Sequence, residues 1–165
     1  MVPELDAFRF ASYAGKSGIS KAVAADLPDG ASVLAALRVA ITKMDEDEVP
    51  TENRHLFITP TLDGMIVDLD TTKSREILTR FATKTLVPQT RFYTAIDLLD
   101  GKTGGEEAGG FKKADGAKNI NFMVIHKPAV IQFNKHVVNK IITPEQNQTS
   151  DGWMFFYRSY GLSDV

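Results

Sequence analysis

Apolar residues recur along this chain in two rhythms. Over residues 27–49, Val33, Leu34, Leu37, Ile41 and Met44 repeat at three- and four-residue spacing, which predicts a helix with Asp29 as its N-cap and Pro50 as its stop. Pro3 to Lys16 predicts a second helix, with Pro3 in the first turn, Glu4 and Asp6 at the positive end, and Gly15 and Gly18 ending it. Its apolar stripe is narrow, with Leu5, Phe8 and Ser12 on one face and Ala11 beside them. Pro60 to Val67 predicts a further helical turn. Asp70 to Lys84 suits a helix capped at Thr71 or Thr72, and Phe92, Ile96 and Leu99 fit one face of another short helix.

Shorter runs bounded by polar residues and prolines predict strands at His55–Thr59 and Thr85–Val87. The stretch Asn119 to Phe133 predicts a buried strand over Ile120–Ile125, then a helical turn from Pro128 to about Gln132. A strand at His136–Thr143 follows, and we take this unit as the centre of the domain. Trp153 to Tyr160 alternates as a closing aromatic strand whose rings are expected mostly in the core, with some at an interface. Helices and separated short strands without regular βαβ alternation predict an α+β fold in one domain over 1–165.

Residues 100–117 break both rhythms. They hold six of the twelve glycines among charged residues, a composition that cannot offset its ordering entropy by burial, so a mobile loop is expected. Its opposite charges, Glu106 and Glu107 against Lys112 and Lys113, suit either a solvated tip or a contact with a neighbouring subunit.

Composition narrows the function. The hydrophobic fraction of 43% and charged fraction of 24% are those of a globular protein, and 165 residues suffice for a core. With no cysteine, disulfides and cysteine metal sites are excluded. A net charge of −2 does not suggest phosphate neutralisation, and no apolar run approaches the roughly 20 residues of a membrane span.

The sharpest enzymatic lead is MIVDLDTT, where Asp68, Asp70 and Thr72 match the D-x-D-x-T pattern of haloacid-dehalogenase-type phosphatases. There the first Asp attacks phosphorus, the second handles the proton, and Mg²⁺ neutralises charge. That chemistry needs Asp68 at the end of a buried strand, and only three apolar residues precede it. Gly15-Lys16-Ser17 lacks the first glycine of a phosphate loop and reads as a helix stop. His55, His126 and His136 lack partners at helical metal spacing and read as structural. Asp45 to Glu48, at the negative end of the long helix, read as a solvated end. No catalytic, cofactor-binding or metal-ligating residue is assigned.

Five stretches line up in order with one family. VPELDAFRFASYAG, VPTENRHLFITPTL, VPQTRFYTAIDLLDG, NINFMVIHKPAVIQFNKH and ITPEQNQTSDGWMFFYRSYGLSDV resemble major capsid proteins of tailed bacteriophages and prophages with the Hong Kong 97-type coat fold. The matching residues are chiefly structural: Pro50, Arg54, Pro60, Pro88, Arg91, Pro128, Trp153 and Arg158. The resemblance implies a non-enzymatic virion protein without cofactors, found in the host cytoplasm before assembly. Its central, mostly antiparallel sheet is flanked by helices. Its partners would be other copies of itself in hexamers and pentamers, with a scaffold protein as a further partner, and its icosahedral shell encloses DNA without reading its sequence. The family's amino-terminal arm, extended loop and most of its spine helix have no counterpart here. Residues 1–18 correspond to the end of the spine helix and 19–165 to the axial domain. An encapsulin-like compartment shares this fold and is the second structural reading.

Overall fold

In the computed structural model, which describes residues 3–19, 26–69 and 72–165, the chain is a mixed α+β protein. The chain divides into two compact units, one reaching to Val130 and the other spanning Ile131–Asp164.

The first unit is built on β1 (Arg54–Ile58). This strand pairs in parallel with β2 (Thr83–Leu86) and antiparallel with β5 (Phe122–His126), giving the order β2-β1-β5. The central sheet is therefore mixed. β1, not the Asn119–Phe133 stretch, is its middle strand, and β5 is a half-buried edge. Alternation along β1 explains why: Leu56 and Ile58 point into one apolar cluster, and Phe57 packs against a second on the opposite face. Only the strand between two neighbours can be covered on both faces and both edges.

The first cluster is supplied by helices α2 (Gly30–Glu46), α3 (Pro60–Leu69) and α4 (Thr72–Leu78). Val33, Leu37 and Ile41 of α2 meet Leu62 and Ile66 of α3 over Leu56 and Ile58. Asp29 caps α2 as its sequence predicts, its side chain accepting the Ser32 amide at 2.7 Å. In the second cluster Phe10 of α1 (Pro3–Gly15) stands edge-on to Phe92 and Phe57, with ring centroids 4.8 Å and 5.3 Å away. The face of α1 differs from the expected one. Ala7, Phe10 and Tyr13 are buried, whereas Leu5 and Phe8 are exposed.

Three further expectations are corrected. Phe92, Ile96 and Leu99 do not share a helix: a short 3₁₀ turn ends at Arg91, and β3 (Ile96–Leu99) follows. The glycine-rich stretch is not loop throughout, because Gly110–Lys113 forms β4, antiparallel to β3. Its base is closed by Thr94 and Ile120, whose amides donate to Lys118 and Phe92 carbonyls at 3.0 Å and 2.9 Å. Its start is turned by Asp100, whose carboxylate accepts the amides of Thr103 and Lys102; these bonds hold its pKa below the ordinary aspartate value. The helical turn placed at Pro128–Gln132 is a 3₁₀ turn over Lys127–Ala129, after which the chain is already extended at Ile131.

The second unit is an antiparallel ribbon of two strands, β6 (Ile131–Ile142) and β7 (Met154–Asp164). Its aromatic residues are not core, which corrects the expectation for Trp153–Tyr160.

Candidate functional site

The ribbon's register follows from its alternation. Ile142 lies opposite Met154, Lys140 opposite Phe156, Val138 opposite Arg158 and His136 opposite Tyr160, all on one face. Ile141 opposite Phe155, Asn139 opposite Tyr157 and Val137 opposite Ser159 make the other. β6 carries one extra residue between Asn134 and His136, a bulge that bends it. Gly161 faces Asn134 there, and a methyl group on it would sit 3.2 Å from the Asn134 side-chain oxygen.

The connection between the strands is held by one side chain. Asn147 Nδ2 donates to the Gly152 carbonyl and to Ser150 Oγ, both at 2.9 Å, while its Oδ1 accepts from Thr149 Oγ1 at 2.8 Å and the Thr149 amide at 3.1 Å.

No residue of either strand is buried, although the ribbon is rich in large apolar side chains. Phe155 is 73% and Tyr157 71% exposed; Phe133, Trp153, Phe156 and Tyr160 are each more than half exposed. Trp153 and Phe155 stack on each other at 6.5 Å without being covered. A two-stranded ribbon is marginal in water on its own, and exposed apolar surface of this extent marks an interaction site.

The residues considered for chemistry do not assemble. Asp68 is exposed in the last turn of α3, on a helix and not at a strand end, and Asp70 lies outside the described residues. Gly15-Lys16-Ser17 follows the last turn of α1, as a helix stop should. His55 bonds Thr83 Oγ1 through Nδ1 at 2.6 Å, His126 ends β5 opposite Arg54, and His136 is exposed on β6. Among the described residues no group of three or more His, Asp or Glu side chains is arranged to hold a metal. A shallow groove of about 260 Å³ is lined by Ala31, Leu34, Ala35, Arg38, Leu69 and Lys73, without a carboxylate.

Two acidic residues placed on a solvated helix end prove to be paired. Asp45 meets Arg54 at 2.6 Å, and Asp47 meets Lys43 at 2.6 Å. Comparison with family models, with curated proteins and with solved structures finds no match for this chain.

Proposed function

We propose that this protein is a structural subunit of a self-assembling shell, a major capsid protein of a tailed phage or prophage with the Hong Kong 97-type fold. The observation that carries the reading is the β6/β7 ribbon, a unit with no buried residue and six largely exposed aromatic side chains. Such a unit is stable only when something covers it, and in a shell the neighbouring subunits do so. The ordered resemblance of five sequence stretches supplies the family. A near-neutral charge suits a wall that encloses DNA without gripping it.

Function here is contact. Each subunit makes many modest contacts with other copies, in hexamers and pentamers, and their summed effect is large. A scaffold protein is a further partner during assembly in the host cytoplasm, and the mature location is the virion. An encapsulin-like compartment fits the same surface. The haloacid-dehalogenase reading gains no support from a helical, exposed Asp68.

Expression of the reading frame that carries this sequence, followed by electron microscopy, tests the proposal. Closed particles built of hexamers and pentamers are expected. A stable monomer with Mg²⁺-dependent phosphatase activity that disappears in Asp68→Asn would overturn it.

A further inference from the structure

The two outer edges of the ribbon are not equivalent. β6 carries the bulge near Lys135 and a second lysine at Lys140, the devices by which sheet proteins block edge pairing. β7 is regular over its eleven residues, has no proline, and carries one charge, Arg158, between its ends. Among the described residues no strand pairs with its outer edge. By these criteria β7 is the open edge.

We propose that β7 pairs edge to edge with β7 of a second copy of this chain, antiparallel about a two-fold axis at Ser159. The inference rests on the homo-oligomeric part of the shell reading, and it names the strand and the register.

Three observations commit the occupant to a second copy. The first is symmetry. Ser159 is the midpoint of Met154–Asp164, so a two-fold there pairs the whole strand with itself, Met154 opposite Asp164. The second is side-chain complementarity in that register. Phe156 falls opposite Leu162, Arg158 opposite the Tyr160 ring, and Tyr157 beside Gly161, where a ring covers a residue without a side chain. Moving the axis to Arg158 would set two guanidinium groups against each other. The third is exposure and charge. Four exposed aromatic side chains, Phe155, Phe156, Tyr157 and Tyr160, stand on β7 itself. They alternate between the two ribbon faces, so a strand added at this edge meets both sets, whereas a partner on one face meets only one. Residues 131–164 carry three basic and three acidic side chains, so nothing favours a strongly charged partner.

The absence of cysteine from the chain makes the test direct. In the proposed pairing the two Ser159 Cα atoms stand about 4.5–5.5 Å apart, within disulfide range. Ser159→Cys should therefore form a cross-linked dimer under mild oxidation at least ten-fold faster than Ser150→Cys, a control on the exposed connecting loop. The unaltered chain should sediment as a dimer at about 100 μM, and Ser159→Lys should return it to monomer with unchanged circular dichroism. Without any variant, the β7 amides should gain hydrogen-exchange protection as concentration rises. Cross-linking of Ser159→Cys no faster than the control, or β7 protection independent of concentration, would overturn the pairing; the latter would put a segment of the same chain on the edge. Closed particles without the Ser159→Cys cross-link would sink this register and leave the shell reading standing. A cross-linked dimer that never forms particles would do the reverse.

Discussion

Arg54 Nη1 lies 2.6 Å from Asp45 Oδ1, joining the first residue of β1 to the C-terminal turn of α2. The guanidinium is 2% exposed, and the carboxylate remains 41% exposed. The same guanidinium donates through Nε to the Pro50 carbonyl at 2.9 Å and through Nη2 to the Val49 carbonyl. A buried cation is tolerable only when its donors are satisfied, and here one side chain satisfies the turn that leads into the central strand.

Replacing that residue tests its role. Arg54→Met is expected to destabilise the first unit by about 2–4 kcal/mol, because two carbonyls lose their donor and the planar fork cannot be replaced. Arg54→Lys should recover little of this, since a single ammonium cannot reach three acceptors. Asp45→Asn should cost less than about 1 kcal/mol, because the partly exposed carboxylate is well solvated. Urea denaturation of the three variants gives the ranking, and equal losses for Asp45→Asn and Arg54→Met would refute it.

The close contact of α2 with α3 depends on Gly30. A methyl group there would press on the Met65 carbonyl and approach Leu69 Cδ1 to 2.7 Å. Gly30→Ala should therefore lower stability by about 1–3 kcal/mol despite alanine's better helix propensity. Gly64, on α3 with open space around it, is the matched control, and Gly64→Ala should be neutral or stabilising.

Asp29 links helix α2 to pH. The Ser32 hydroxyl and amide both donate to its carboxylate and hold its pKa below the ordinary aspartate value. A lowered folded pKa means that the cap contributes fully above the unfolded value of about 3.9 and is lost as pH falls through the folded one. Thermal melts between pH 2 and 7 should show Asp29→Asn close to the unaltered chain at neutral pH, because asparagine also caps, but with a shallower loss in acid. Asp29→Ala should melt a few degrees lower at pH 7. A steeper acid loss in Asp29→Asn would contradict this account.

At the ribbon's connection, Asn147→Ala removes four hydrogen bonds from one turn. Proteolytic cleavage between Gln148 and Gly152 should then accelerate at least several-fold, while the melting of the first unit stays unchanged. Unchanged cleavage would mean that the backbone bonds of the 3₁₀ turn at Pro144–Gln146 already fix the loop.

Much of the local structure was legible because its causes are local. The spacing of Val33, Leu37 and Ile41, the Asp29 cap and the proline stops at Pro50 and Pro60 depend on residues a few positions apart, and the structure agrees with them. The misreadings share one physical feature. Ile96 and Leu99 fit a helical face, yet they lie in β3, which exists because Gly110–Lys113 pairs with it from more than ten residues away. The same pairing turns part of a glycine-rich segment into β4. For the ribbon, the alternation of Met154 to Tyr160 identified a strand, but alternation looks the same whether a face is covered by its own chain or by another.

The sequence by itself determined where helices start and stop, which segments extend, that no cysteine chemistry is available, and that the last strand is aromatic. Tertiary structure alone decided that β1 is the middle strand, that Arg54 answers the acidic end of α2, and that the aromatic ribbon is uncovered. Capping, helical spacing and proline stops are settled within a few residues, whereas strand order and burial depend on which distant segments meet. Those encounters are fixed by the summed packing of the whole fold.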